Sequence, residues 1–391
     1  MQSYWQIVAP KSLPALQGHR DTDIAIVGGG YTGCWLAYWL RDSGLRVTVV
    51  EREFPGFGAS GRNGGLLLQG PAQLLGEASR LIGTQAALQF LLLTRRTFEW
   101  LEPLRTQYDL DYRQTGSLYL GGDLGENPVI ESTVDLFQEA GIPAYLLERR
   151  EQPASLQNLG YGLGAYFPSD GMVHPLKLIT ALLSEAQAHG VQVFAHTAVE
   201  QYEEDAKGIT LLGSDFQLSA SRVVIATNAY TGSWFPMLNA ALNPVRGQVS
   251  ASEPVVPLDY PYPVYADHGF NYWHQRPNGS IILGGFRDIA LQEEVGTSLQ
   301  LHGRIQAALT DFLTALAGKP VKVAQRWAGI MAMTPDHLPY VGPLTGRIWI
   351  AAGYNGHGST VAPVLSRMIR DALLDGTPIF APYDVRRLYL H

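Results

Sequence analysis

The stretch 24-IAIVGGGYTGCWLAYWL-40, followed by 47-VTVVE-51, decides the fold. Ile24–Val27 is a short apolar run of the kind that forms a buried parallel strand. Gly28, Gly30 and Gly33 then spell G-x-G-x-x-G. Cys34–Arg41 reads as a helix, with Gly33 and Ala37 four apart as a small packing face, and Gly44 stops it. Val47–Val50 reads as a second buried strand ending at Glu51. Strand, glycine turn, helix and strand make a βαβ unit of about 30 residues. In such a unit the first glycine makes the turn, the second lets backbone approach a pyrophosphate, and the third lets helix pack on sheet. Glu51 can accept hydrogen bonds from a ribose diol. The motif marks a dinucleotide site and does not separate NAD from FAD.

Two more glycine-rich segments extend this reading. Phe57–Leu66 reads FGASGRNGGL, beginning six residues past Glu51. With Gly58, Ala59, Gly61, Gly64 and Gly65 the chain can lie flat against a large ligand, and Ser60, Arg62 and Asn63 supply donors for phosphate or ring oxygens. The alternative is a flexible loop. It is not a nucleophile elbow, because Gly58-Ala59-Ser60-Gly61-Arg62 lacks the final glycine. Near the other end, Ala351–Thr360 reads AAGYNGHGST between a predicted strand and the last helix. Gly353, Gly356 and Gly358 expose backbone N–H groups there, and a helix N-terminus brings partial positive charge to a bound ring. His357 either donates to that ring or caps the helix.

The remaining elements fall around these motifs. Helices are predicted over 72–110, 128–141, Pro175–His189, Leu299–Ala317 and Ser359–Leu374. Strands are predicted at Ser117–Leu120, Val191–His196, Leu211–Leu218, Val223–Ala226, Val245–Ser250, Gly269–Gln275, Ser280–Gly284 and Ile348–Ala351. Residues 1–20 read as an irregular lead-in. The expected fold class is α/β (α+β overall), with two interleaved domains. Segments 20–110, 160–235 and 320–391 form the cofactor domain. Segments 111–159 and 236–319 form an antiparallel-sheet substrate domain.

Composition narrows the function. Of 391 residues, 46% are hydrophobic and 16% charged, which excludes a disordered chain or a coiled coil. The net charge of −7 without a basic block argues against nucleic acid and anionic membranes. Apolar runs such as Phe90–Leu93 are too short to span a bilayer. There is one cysteine, Cys34, so an internal disulfide and a Cys-based metal site are excluded. The lone thiol and the lack of a signal sequence fit the cytoplasm. The ten histidines show no metal spacing.

The whole set of motifs resembles the D-amino-acid-oxidase-like family of FAD-dependent amine oxidoreductases, the group of glycine oxidase, sarcosine oxidase and γ-glutamylputrescine oxidase. The resemblance rests on IVGGGYTG at 26–33, ER at 51–52, GFGASGRNGG at 56–65, HPLKL at 174–178, VVIATNAYTG at 223–232, PDHLPYVGP at 335–343 and AAGYNGHGST at 351–360. SYW at 3–5 and GASGRNGG look nearest the γ-glutamylputrescine oxidase branch. It implies a Rossmann-type FAD domain. The cofactor residues it implies are Gly28, Gly30, Tyr31, Thr32, Gly33, Glu51, Arg52, Gly58, Ala59, Ser60, Arg62, Asn63, Gly64, Gly65 and Leu66. It adds Val199, Ala226, Thr227 and Asn228, and then Gly353, Tyr354, Asn355, Gly356, His357, Gly358, Ser359 and Thr360.

On the substrate side, His268, Phe270, Tyr272 and His274 alternate along one predicted strand and share a face. With Trp327, Met331, Tyr354 and His357 they are the pocket candidates. An aromatic face suits a cationic or newly neutralised amine, or else is ordinary half-buried sheet. By the resemblance, Met331 stands where glycine-oxidase-like members carry an Arg for the α-carboxylate. This favours an amine unless Arg246, Arg276, Arg287 or Arg326 substitutes. Gly329 stands where sarcosine-oxidase-like members tether the flavin to Cys, so the FAD is expected to be non-covalent. The oxygen-activating Lys of those members aligns near Ile282. The expected function is oxidation of an amine C–N bond to an imine, with imine hydrolysis, molecular oxygen as acceptor and H2O2 formed. Rivals are an amino-acid oxidase or dehydrogenase, a flavin subunit active only with a partner, and an NAD-binding protein. The oligomeric state stays open.

Overall fold

Strand Gly18–Val27 lies at the centre of a largely parallel sheet, as an apolar run that must be covered on both faces demands. It pairs in parallel with Phe216–Ile225 on one side and Val47–Val50 on the other. Gln192–Phe194 extends the sheet beyond Val47–Val50, and Ile348–Ala352 extends it beyond Phe216–Ile225. Tyr340–Pro343 closes that side in antiparallel. The computed structural model describes residues 2–7 and 12–389. The other residues of the expected irregular lead-in lie outside that range. Within it, Tyr4–Ile7 forms a 3-10 turn with Trp5 buried, and the first strand already starts at Gly18.

Helix Tyr31–Leu40 follows the glycine turn and is buried nearly all round, sandwiched with the helices Gly358–Asp375 and Pro175–Ala188. Gly33 lets this helix press on the turn before it: a Cβ there would stand 1.9 Å from the Gly28 carbonyl oxygen. Three predicted elements differ in outline. The helical region 72–110 splits into Leu75–Ile82 and Thr84–Gln107 at Gly83, whose φ of +84° no helix accommodates. The strand expected at Leu211–Leu218 crosses a turn: Ile209–Leu212 and Phe216–Ile225 pair in antiparallel around Gly213-Ser214-Asp215. The strand expected from Gly269 starts at Asn271, because Asp267, His268 and Gly269 all have positive φ and form a turn.

The second large sheet runs in the order Val323–Met333, Asn243–Ser252, Ile281–Gly284, Asn271–Gln275, Val264–Ala266, Ser117–Leu120, Gly164–Phe167 and Tyr145–Leu147. All its pairings are antiparallel except Val264–Ala266 with Ser117–Leu120. Val323–Met333 is its longest strand and had no counterpart in the sequence reading. Helix Gly303–Ala317 covers one face: its Leu309 and Leu313 share a buried cluster with Trp273 and Leu283, and its Phe312 ring meets Trp273 at 4.9 Å. Strands of the two sheets alternate along the chain, so the cleft between them draws on segments far apart in sequence. Among the described residues no helix is long and apolar enough to cross a membrane.

Candidate active site

A cavity of 860 Å³ opens where the two sheets meet. Its first wall is the glycine turn. Gly29 N–H donates to Glu51 Oε2 at 2.7 Å, and Glu53 N–H donates to Glu51 Oε1 at 3.0 Å. Each carboxylate oxygen keeps a further lone pair for a ligand. Burial pushes the Glu51 carboxyl upward, and the two backbone donors oppose this. Tyr31 N–H, in the first turn of the helix, donates to Ser60 Oγ at 2.9 Å. The second glycine segment thus folds over the helix N-terminus, and a Cβ on Gly30 would meet Ser60 Oγ at 3.0 Å.

That second segment is gripped from behind at three consecutive carbonyls. Trp327 Nε1–H donates to Arg62 O at 2.8 Å, Trp5 Nε1–H to Asn63 O at 2.7 Å, and His274 Nε2–H to Gly64 O at 2.8 Å. Arg62 itself donates to the carbonyls of Phe57 and Ala328, while Asn63 braces its own loop through Ser60 O and Gly65 N. Ser3 and Gln6 add bonds to Gly61 O and Phe57 O. The N-terminal turn is therefore a brace under this loop, a role with no signal beyond the wording SYW.

The C-terminal motif forms the opposite wall. Asn355 Oδ1 accepts Thr334 N–H at 2.8 Å and Asn228 Oδ1 accepts Gly353 N–H at 2.9 Å. Tyr354 OH meets Thr32 Oγ1 at 2.6 Å, joining the two glycine motifs. Tyr31 OH, Gln69 Oε1, Gln73 Oε1 and His357 Nδ1 are buried without a hydrogen-bond partner among the described residues, and all four residues line the cavity. Orphaned buried polar atoms in a cavity call for a polar ligand or water.

The DAO family, described as FAD dependent oxidoreductase, matches residues 23–372 of the chain. The chain belongs to this family. Among relatives, γ-glutamylputrescine oxidoreductase of Escherichia coli (strain K12) is 26% identical over 388 residues, covering 95% of this chain and 88% of that protein. Glycine oxidase of Bacillus subtilis (strain 168) is 26% identical over 365 residues, covering 91% and 94%. Among solved structures, L-proline dehydrogenase from P. horikoshii superposes with a TM-score of 0.80 at 22% identity, covering 97% of this chain and 99% of that one. The fold is that of the DAO flavoenzymes, and the chain is an oxidoreductase acting on amines or amino acids with FAD as its cofactor.

The lining of the cavity supplies a donor set that FAD would need. Gly28, Gly30, Tyr31, Thr32, Glu51, Arg52, Gly58, Ala59, Ser60, Arg62, Asn63, Gly64 and Leu66 line it. So do Val199, Ala226, Thr227, Asn228, Tyr354, Asn355, Gly356, His357, Gly358, Ser359 and Thr360. Gly33, Gly65 and Gly353 stand behind the wall. Gly65 and Gly353 hold turns with φ of +76° and +81°.

The substrate candidates divide. Tyr272, Met331 and His357 line the cavity together with Tyr265, which the sequence reading had passed over. The His357 ring meets the Tyr265 ring edge to face at 5.5 Å. Trp327 and His274 do not reach the cavity. Both are fully buried, and His274 is pushed down to about 3 by burial and by the Arg276 charge. His268 and Phe270 line the cavity from the positive-φ turn and its exit rather than from the strand face of Tyr272. Burial also holds His357 well down, at about 4. Asp170 also lines the cavity and accepts Gln69 N–H, Gln69 Nε2–H and Ser117 Oγ–H. Burial raises it to about 6. Among the described residues no group of His, Cys, Asp and Glu gathers to hold a metal.

Proposed function

We propose that the protein oxidises a C–N bond of an amine to an imine, which water then hydrolyses, with molecular oxygen as the acceptor and H2O2 as product. Bound FAD would supply the two-electron acceptor for the hydrogen on the carbon beside nitrogen. The glycine turn and Glu51 would hold its pyrophosphate and ribose, Val199 and Ala226–Asn228 its adenine side, and Gly64–Leu66 with Tyr354–Thr360 its ring. The observation that carries the reading is the wall of Tyr265, Tyr272, Met331 and His357, which presents aromatic and apolar surface and one neutral imidazole. No group on that wall is poised as a strong base. The chain's work is then to orient a neutral amine, to exclude water, and to lower the amine pKa by desolvation.

The proposed division of labour follows the sheets: cofactor on the parallel sheet, substrate on the mixed one. Non-covalent binding is part of the proposal. Cys34 Sγ–H donates to Gly29 O at 3.3 Å inside the helix packing, away from the cavity, and burial raises its pKa strongly. A buried lone thiol also fits a reducing cytoplasm. The test is the visible spectrum of the purified protein under anaerobic conditions with a panel of amines and amino acids. Bleaching of a flavin band by an amine, with recovery on admitting air, is expected. A flavin band that no donor bleaches would defeat the proposal.

A further inference from the structure

We propose that the cavity holds a second polar subsite, at Gln69 and Gln73, which takes the ammonium at the far end of an elongated diamine. The inference rests on the amine reading above and names its substrate class. Three tyrosines lay a floor toward this subsite. Tyr272, Tyr265 and Tyr119 stand in register on three neighbouring strands of the second sheet. All three line the cavity. The Tyr265 and Tyr119 rings meet at 5.9 Å. At one end, a Cβ on Gly64 would lie 2.7 Å from the Tyr272 ring, so the floor begins against the loop proposed to hold the flavin. At the other end, Ser117 lies two residues before Tyr119 and shares its face. Ser117 pairs in turn with Phe167 on the next strand. Neighbouring strands lie about 4.8 Å apart, so the floor runs about 10 Å from Tyr272 to Tyr119.

The far end is built of acceptors. Asp170 accepts Ser117 Oγ–H at 2.7 Å and Gln69 Nε2–H at 2.9 Å. An ionised carboxylate only accepts, so the Gln69 amide is fixed with its nitrogen toward Asp170 and Oε1 as its free end. Gln69 is 7% exposed, and its Oε1 is buried with no partner among the described residues. Gln73 Oε1, four residues on, is buried and unpartnered in the same way. Both residues line the cavity. Two stranded acceptors call for a donor. The three groups that bind Asp170 are all neutral, so no cation offsets its charge there. A carboxylic acid raised to about 6 is ionised at neutral pH. The donor that suits such a place is therefore a cation, since charged hydrogen bonds are the stronger ones. Along the way the lining is apolar. The Phe137 and Phe167 rings meet at 4.7 Å, Leu75 lies beside them in one cluster, and the Tyr119 hydroxyl is taken by Glu126. That lining suits a methylene spacer. A short monoamine reaches the wall of Tyr265 and Tyr272 and leaves the two glutamine oxygens unmet.

The test is calorimetric titration of the FAD-loaded protein, at neutral pH and fixed ionic strength, with the α,ω-diamine of octane and separately with octylamine. The diamine is expected to bind about 10-fold tighter than octylamine, beyond the statistical gain of two equivalent ends. Gln69→Leu and Gln73→Leu should each weaken the diamine about 5- to 10-fold and leave octylamine as it binds wild type. Four results would overturn the proposal: no binding of the diamine to wild type, no preference for it over octylamine, unchanged diamine affinity in the variants, or equal losses for the two ligands. Gln69→Leu also removes a partner of Asp170, so if it does not fold, Gln73→Leu decides by the same comparison. The titration needs no turnover. A diamine that binds as expected beside a flavin that no amine or amino acid bleaches would defeat the amine-oxidation reading and leave the subsite standing.

Discussion

His274 donates its Nε2–H to the Gly64 carbonyl at 2.8 Å, from a strand of one sheet to the loop that covers the cofactor helix of the other. The bond fixes the tautomer: Nε2 carries the proton and the ring is neutral, as its lowered pKa requires. His274 is therefore a support for backbone and not a group facing the substrate. With Trp5 on Asn63 O and Trp327 on Arg62 O, it forms a three-point grip on the loop.

Replacing His274 by Phe keeps the bulk and leaves the Gly64 carbonyl buried without a partner. The expected cost is about 1–3 kcal/mol of stability, together with weaker FAD binding. Chemical denaturation of the apo-protein and a fluorescence titration with FAD read the two effects. Unchanged stability would show that the Gly64 carbonyl finds another donor and that the grip is not needed.

The contrast between His274 and Glu51 shows what a sequence can disclose. Glu51 was legible because its position follows from a local rule: strand, turn, helix, strand, acid. His274 reads as a pocket residue because alternation along a strand says which side chains share a face. It does not say what covers that face. The predicted run His268, Phe270, Tyr272, His274 also failed locally, since three successive positive-φ residues, Asp267 to Gly269, turn the chain before the strand begins. Strand Val323–Met333 escaped notice because Arg326, Gly329 and three small alanines interrupt its apolar pattern, and its long register with Asn243–Ser252 is a tertiary fact.

Two glycine substitutions should separate fold from cofactor. At Gly33 a Cβ would lie 1.9 Å from Gly28 O, a clash with backbone that nothing relieves cheaply. At Gly58 a Cβ would meet nothing within 4 Å, the φ is −71°, and the position lines the cavity. Gly33→Ala should lower the melting temperature of the apo-protein. Gly58→Ala should leave that temperature unchanged and weaken FAD binding. Equal FAD affinity in Gly58→Ala and wild type would remove this segment from the cofactor site.

Asp170 should make stability depend on pH in an unusual direction. Its carboxyl is raised from an ordinary 3.8 to about 6 by burial. Between those values the native state keeps a proton that the unfolded chain releases, so stability falls as pH rises through the window. A shift of this size corresponds to roughly 2–3 kcal/mol. Asp170→Asn cannot ionise, and its carbonyl can still accept from Gln69. Relative to wild type, the variant should therefore gain stability from pH 4 to pH 7. Denaturant unfolding at both values measures the difference, and a constant gap would mean that Asp170 is ionised throughout.

His357 faces the cavity, yet burial holds its pKa near 4, so the ring is neutral over the whole range in which an amine titrates. If the substrate must arrive as the free amine, kcat/KM should rise with pH until the amine itself is deprotonated, with the midpoint set by the substrate. His357→Gln keeps a polar side chain of similar reach and removes the imidazole. The expected result is a lower rate at every pH with the midpoint unmoved. Rapid anaerobic mixing with an amine, followed at the flavin band from pH 6 to 10, gives the profile for both proteins. A midpoint that shifts by a full unit in His357→Gln would identify His357 as the titrating group. A midpoint that stays fixed while the amine is exchanged for one of different pKa would show that the ionisation belongs to the protein.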